Sequence, residues 1–410
     1  MLFFRELGGD IDRAWRAENY DVSAFPRIAR IALSERPPSK NVTPDEIVEW
    51  TLTTGEFPRQ PNLDIAFGDP PITVFCAQRF YIEALFWVDG TTAIHQHNFS
   101  GAFHVLSGSS IHARYAFHLD KRFSERLLSG SLRLTDIELL EKGDTRPIES
   151  GDRFIHSLFH LDRPSVTIVA RTFSEPSATP QYSYSKPSLA HDSAFNGEQL
   201  KRQVQSLVLL YESEHPEATA IVRKALARAD ALTTYRLLRA AHQAAPKASF
   251  EALLEDARAR DAHLVERLEA VFEQDRRLHL IVGRRKKVRD AEHRFFLALL
   301  LNAPDRKNLL NLVRRRYPEH DPLDVVARWV RQMATTQLEG DSEPNVLGLP
   351  LDSAGIDVLE YTVRALSHEE IVRRLQHTYD EDDIRDQQSD IVELEKSIRS
   401  MLLFRPLFTE

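Results

Sequence analysis

The sequence predicts an α+β multidomain protein: a helical N-terminal segment, an antiparallel β-barrel, and an all-α C-terminal region. Three observations predict it. At 410 residues the chain exceeds the size at which a single core keeps growing, so more than one domain is expected. From about Ile72 to Phe173, short apolar or aromatic runs are broken by Gly, Asp and Ser, the pattern of an all-β sandwich or barrel. From about Glu198 onward, apolar residues recur every three or four positions, which is the helical period. The expected divisions are a helical segment over 1–60 that packs on the barrel, the barrel over 61–176, a linker over 177–195 and a helical domain over 196–410.

Each element has its own local signal. Thr43-Pro44-Asp45-Glu46 offers a capping threonine, a proline at the first helical position and a glutamate able to close a capping box, so a helix should run from Pro44 to about Thr53. The strand candidates are Ile72–Ala77, Phe80–Val88, Phe103–Leu106, Ile111–Phe117, Ser131–Leu134 and Val166–Phe173. Pro176, Pro180 and Pro187 suggest the linker. Helical stripes then appear at Gln203, Leu207, Leu210 and Tyr211, at Leu232, Tyr235 and Leu238, in the run from Phe295 toward Pro304, and at Val325, Val326, Trp329, Val330 and Met333. Leu338–Ser353, with Gly340, Pro344, Gly348 and Pro350, reads as a loop before further helices at Val358–Leu366, Ile371–Tyr379 and Ile391–Leu403.

Composition narrows the function. With 42% hydrophobic and 28% charged residues the chain is of ordinary folded type. A net charge of −8 argues against a general electrostatic grip on nucleic acid or an anionic membrane. Cys76 is the single cysteine, so no intrachain disulfide forms and no cysteine-based zinc site exists. The N-terminus meets charge after four residues, too soon for a signal-peptide core, and no run reaches the length of a membrane span. A reducing, cytoplasmic setting is expected.

The chemistry concentrates in Gly90-Thr-Thr-Ala-Ile-His95-Gln-His97, followed by Gly101-Ala-Phe-His-Val-Leu-Ser-Gly108 and later by Gly151-Asp-Arg-Phe-Ile-His156. Histidines two apart on a strand face the same side, so His95 and His97 converge on one point. A metal ion is the natural occupant. Imidazole suits iron, nickel, copper and zinc, so three histidines define the ligand set more firmly than the metal.

Taken in order, these motifs and the Val166–Pro176 stretch behind them resemble the cupin superfamily, and within it the cysteine-dioxygenase-like group, over roughly residues 70–176. The resemblance implies a cupin-type antiparallel β-barrel holding Fe(II) on His95, His97 and His156, with zinc or nickel as alternatives and with O₂ and a small molecule as substrates. Cupins often add a glutamate shortly after the histidine pair; Gly101 stands about there. Three neutral imidazoles leave the ion's charge uncompensated, which favours an anionic, chelating substrate and weighs against a 2-oxoglutarate oxygenase, whose iron is held by two histidines and a carboxylate. Cysteine dioxygenases also carry an early-strand arginine and a late tyrosine; here Ile72–Ala77 holds no arginine and Phe173 stands near the tyrosine's place. Arg79 and Arg171 are the candidate carboxylate anchors, since guanidinium offers a bidentate fork. His104 is carried with them as a candidate catalytic residue, His104 and His112 alike reading as ordinary strand histidines or as partners of the ligand rings, and His160 competes with His156 as third ligand.

The helical region is less specific. Arg284-Arg-Lys-Lys-Val-Arg289 reads as a solvated basic face, Glu212-Ser-Glu-His215 has di-iron spacing without a second motif, and Phe295, Phe296 and Trp329 read as core. The region is expected to cover the barrel mouth, dimerise or present a surface to a protein partner. The leading expectation is an Fe(II)- and O₂-dependent dioxygenase acting on a small anionic thiol or other chelating metabolite. The alternatives are a non-oxygenase metal-binding cupin fused to a helical interaction or sensor module, and a ring-cleaving or C–C-cleaving three-histidine dioxygenase.

Overall fold

Four helices open the chain in the computed structural model, which describes all residues except 62–67, 89–91, 176, 178–179, 194, 196, 338–342 and 410. Gly90, Thr91, Pro176 and Gly340, singled out above, lie outside the described residues. The helices are α1 (Leu2–Ala17), α2 (Phe25–Glu35), α3 (Pro38–Asn41) and α4 (Pro44–Thr53). The α4 capping box forms as its sequence dictates: Thr43 Oγ1 accepts from the Glu46 amide, and the Glu46 carboxylate accepts from the Thr43 amide at 2.7 Å.

Among the described residues eleven strands follow: β1 (Pro71–Cys76), β2 (Phe80–Trp87), β3 (Ile94–His97), β4 (Gly101–Ser107), β5 (Ser110–Ser124), β6 (Leu127–Leu140), β7 (Thr145–Ile148), β8 (Gly151–His160), β9 (Ser165–Thr172), β10 (Tyr182–Ser185) and β11 (Leu189–Asp192). One sheet has the order β1-β2-β9-β4-β7, and a second set closes on itself in the order β10-β11-β6-β5-β8-β3. The period of two along the central strands sorts side chains to opposite faces. Phe80, Ile82, Ala84 and Phe86 of β2, with Val166, Ile168 and Ala170 of β9, meet Phe4, Leu7, Ile11 and Trp15 of α1 and Phe25, Ile28 and Leu33 of α2 in one core. The intervening Glu83, Leu85 and Trp87, with Thr167, Val169 and Arg171, line a cavity on the other face of this sheet. Burial on both faces explains why these strands read as near-continuous apolar runs rather than as alternating ones.

The stretch 177–195, expected as a linker, contains β10 and β11. β10 pairs with β3 through Ser183↔His95, and β11 pairs with β6 through Leu189↔Ser129. Its prolines bound strands instead of loosening the chain: Pro180 precedes β10 and Pro187 lies in the turn between the two.

Helices α5 (Glu198–Glu212), α6 (Ala218–Leu226), α7 (Ala231–Ala244) and α8 (Lys247–Arg260) follow, and Leu127 and Leu189 of the barrel share one core with Leu207, Tyr235, Leu238 and Leu253. The compact units therefore do not divide near residue 196. One comprises Met1–Asp136 and Leu140–Asp275, the other Ile137–Leu139 and Arg276–Glu410, so the division falls within α9 (Ala262–Lys287).

Within the second unit, α10 (Ala291–Asn302) and α12 (Pro322–Thr335), which flank α11 (Arg306–Arg316), bury Phe295, Phe296 and Trp329, and the indole of Trp329 donates to Glu292 at 2.7 Å. Arg284 and Arg285 of the basic run turn inward, onto the carbonyls of Val346 and Arg294. The chain continues through α13 (Ser353–Val363), α14 (His368–Thr378), α15 (Glu381–Asp386), α16 (Gln388–Ser400) and α17 (Arg405–Phe408). Among the described residues, no helix is long and apolar enough to cross a membrane.

Candidate metal centre

Strand β3 is four residues long and lies between β8 and β10. His95 stands opposite His156 of β8, and after a register irregularity His97 stands opposite Gly151, whose φ of +74° lies in the left-handed region that favours glycine. Two alternating positions on β3 and one on β8 thus aim three rings at one volume. Among the described residues, His95, His97 and His156 form the group able to hold a metal ion, with ligand atoms within 4.8 Å of one another and ring centroids 4.6 to 4.9 Å apart.

The spacing suits coordination. His97 Nε2 and His156 Nε2 are 2.9 Å apart. Two nitrogens bound about 2.1 Å from an ion at right angles lie about 3 Å from each other. His95 Nδ1 donates to the Ala93 carbonyl at 2.7 Å, which leaves the lone pair of that ring on Nε2. Burial lowers the pKa of His95, and burial together with the neighbouring cationic groups holds those of His97 and His156 well below the ordinary histidine value. Neutral imidazole is the form a metal needs.

The space around the rings, counting the open solvent at its mouth, amounts to about 410 Å³. Leu85, Trp87, Phe99, Phe103, Leu158 and Val169 make its walls largely apolar. Two charges break that surface. Arg171 Nη1 lies 3.3 Å from Glu83 Oε1, with the side chains only 14% and 2% exposed. The guanidinium carbon stands 3.3 Å from the Phe99 ring centre and 5.2 Å from that of Tyr81, which fixes its plane, and its Nε has no hydrogen-bond partner among the described residues.

Of the residues expected from the sequence, Arg171 lines the cavity with the three histidines. Arg79 does not: it lies in the turn between β1 and β2, 4.7 Å over the Tyr20 ring. His104 does not either. It follows Phe103 on β4 and so faces the helical side, where Nε2 meets Ser39 Oγ at 2.9 Å and Nδ1 meets Thr145 Oγ1 at 2.8 Å. His160 stacks on Trp87 and bonds Ser110 Oγ at 3.0 Å, outside the group of three. Phe173 packs on Tyr81, and Arg171, two positions earlier, supplies the interior side chain at the end of β9. Glu83 escaped the sequence reading. Its signal was a lone acid inside Phe80–Val88, in phase with Leu85 and Trp87.

Gly101 explains why no carboxylate joins the group from β4. A Cβ there would lie 2.3 Å from the Ala170 carbonyl oxygen and 3.0 Å from the Arg171 Cα, both backbone atoms of the paired strand. Gly101→Ala is expected to destabilise the fold by about 2 to 4 kcal/mol, toward the upper end of overpacking costs, as read by urea denaturation. An unchanged midpoint would contradict the close approach.

His104 gives a second test. Burial lowers its pKa to about 4, against an ordinary value of 6.5. Between those limits the unfolded chain binds the proton and the folded chain does not, so stability falls as pH drops from 6.5 toward 4 and levels below that. Burial sets the same sign for His160 and His191, both lowered to about 3. His104→Gln should remove on the order of 2 to 3 kcal/mol of this acid sensitivity, read as a shallower decline in unfolding midpoint between pH 7 and pH 4. An identical decline would refute the assignment.

No family model matches the sequence, and no curated protein matches it. Among solved structures, the chain is similar to DMSP lyases at 20% identity over 25% of this chain and 42% of that chain, with a TM-score of 0.17. It is similar to a hydroquinone 1,2-dioxygenase in complex with Cd²⁺ and 4-hydroxybenzonitrile at 16% identity over 25% of this chain and 63% of that chain, with a TM-score of 0.19. It is also similar to a recombinant oxalate oxidase in complex with glycolate at 15% identity over 46% of this chain and 81% of that chain, with a TM-score of 0.21. The chain spans less than two thirds of the length of the first two. At these TM-scores none of the three bears on the function of this chain.

Proposed function

We propose that the protein is a cupin-type oxygenase that uses Fe(II) and O₂ on a small, metal-chelating anion. The observation that carries this reading is the convergence of three neutral imidazoles in a buried, largely apolar cavity. His95, His97 and His156 would hold the ion. When bound there, Fe(II) supplies a Lewis-acidic, redox-active centre with positions left for substrate and O₂.

The chain's own residues do the rest. The neutral ligand set leaves the centre its full charge, which selects an anionic head group such as a thiolate, catecholate or enolate. Arg171, held by Glu83 and the two aromatic rings, presents its Nε edge to a second anionic group such as a carboxylate. Phe99, Phe103, Leu158 and Val169 exclude water and fit an apolar spacer between the two ends.

A second reading is ring or C–C cleavage of an aromatic or diketone anion. The apolar walls favour it, as does the pairing of Arg171 with Glu83, which already balances the cation lining the cavity. Anaerobic purification followed by metal analysis and a screen of oxygen uptake over thiols, catechols and diketones separates the readings. About one iron per chain with substrate-dependent oxygen consumption is the expected result. Stoichiometric zinc or nickel with no oxygen consumption on any of these would overturn the oxygenase proposal in favour of a metal-binding module.

A further inference from the structure

The second ring nitrogen of His156 meets another imidazole. His112 Nε2 lies 3.1 Å from His156 Nδ1. On the antiparallel β5–β8 ladder His112 stands opposite Leu158 and Arg114 stands opposite His156, so the two histidines are diagonal neighbours on one face of the sheet. The rings meet edge to face, 5.2 Å apart at 83°. His112 is 1% exposed, and Phe103 and Phe154 stand 5.7 and 6.0 Å from its ring.

We propose that His112 is the positioning residue of the metal centre: its Nε2 accepts the Nδ1 proton of His156 and so commits His156 Nε2 to the ion. The inference rests on the metal-binding reading above and adds a charge argument to it. A metal-bound histidine usually donates its other N–H to a carboxylate, a carbonyl or water, and a carboxylate there makes the ligand more basic. Here the acceptor is a neutral imidazole. His95, by comparison, donates to the Ala93 carbonyl, which is also neutral. The Ala93 carbonyl and His112 are thus both neutral acceptors, and neither offsets the charge of a divalent ion before the substrate arrives.

Two measurements test this on the full chain, and neither depends on turnover. In the zinc-loaded wild type, a long-range proton–nitrogen spectrum of the histidine rings should show His112 protonated on Nδ1 and accepting through Nε2, with the three ligand rings bound through Nε2. A proton on His112 Nε2 would overturn the proposal. The second measurement is affinity for zinc and cobalt by chelator competition, with the visible bands of the cobalt form. His112→Leu should bind about 10- to 100-fold more weakly. His112→Gln, whose amide oxygen is again a neutral acceptor, should recover most of that loss and keep the wild-type cobalt bands, whereas His112→Glu should shift them. Equal binding by the Leu variant and wild type, or a Gln variant no better than Leu at equal thermal stability, would refute it. If the Leu variant does not fold, the Gln and Glu variants still decide: identical cobalt spectra would exclude the charge argument. A wild type that binds neither metal would instead overturn the metal-binding reading itself.

Discussion

His97→Ala is expected to abolish stoichiometric metal binding while leaving a folded chain. His97 approaches both other rings, with its Nε2 2.9 Å from that of His156 and its ring 4.6 Å from that of His95. Removing it leaves two ligands from different strands. The expected weakening is at least about a hundredfold, beyond the ten- to hundredfold typical of losing an outer hydrogen-bond partner. Chelator competition with zinc, and metal analysis after anaerobic loading with iron, provide the readouts. His104→Gln is the matched control, because His104 points to the opposite face of β4 toward Ser39 and should leave metal affinity unchanged. Full metal retention by the His97 variant would remove the basis of the functional proposal, and so would equal loss in both variants.

The second large effect is on stability. Glu83→Leu strips the carboxylate from a guanidinium that is 14% exposed and walled by aromatic rings. An unpaired buried charge of this kind costs about 3 to 5 kcal/mol. Arg171→Met in the same chain removes the stranded cation, so the double variant should regain most of that loss; a well-packed apolar pair often matches a buried ion pair. The cycle is read by urea denaturation of the metal-free protein, and a coupling energy of at least about 2 kcal/mol is expected. Additive single effects would show that the two groups do not depend on each other, and the role of Glu83 in fixing Arg171 would fall with them.

The two residues also show where the sequence stops speaking. The α4 helix is legible because its cap, proline and glutamate all lie within four residues. The histidine pair is legible for a similar reason: a period of two needs no knowledge of the partner strand. Glu83 is hidden because β2 is buried on both faces, so no alternation of polar and apolar residues marks which side chains look inward. Arg79 and Arg171 are indistinguishable by type and separate only once the register Tyr81↔Arg171 is known. Strands β10 and β11 are four residues each, too short for periodicity, and their partners β3 and β6 lie far upstream in sequence. The compact units divide inside a helix that carries neither glycine nor proline at the point of division, so nothing in composition marks the change.

The hairpin of β10 and β11 bears on how this protein can be cut down. It gives β3 its second neighbour, and the Tyr184 hydroxyl donates to Gln96 Oε1, between the two histidines, at 2.6 Å. A fragment that stops at the prolines after β9 would leave the histidine-bearing strand as an open margin with unsatisfied amides. The shortest excision worth expressing for metal work therefore extends past Asp192, and substitutions within the hairpin would be a way of retuning the centre from outside its ligands.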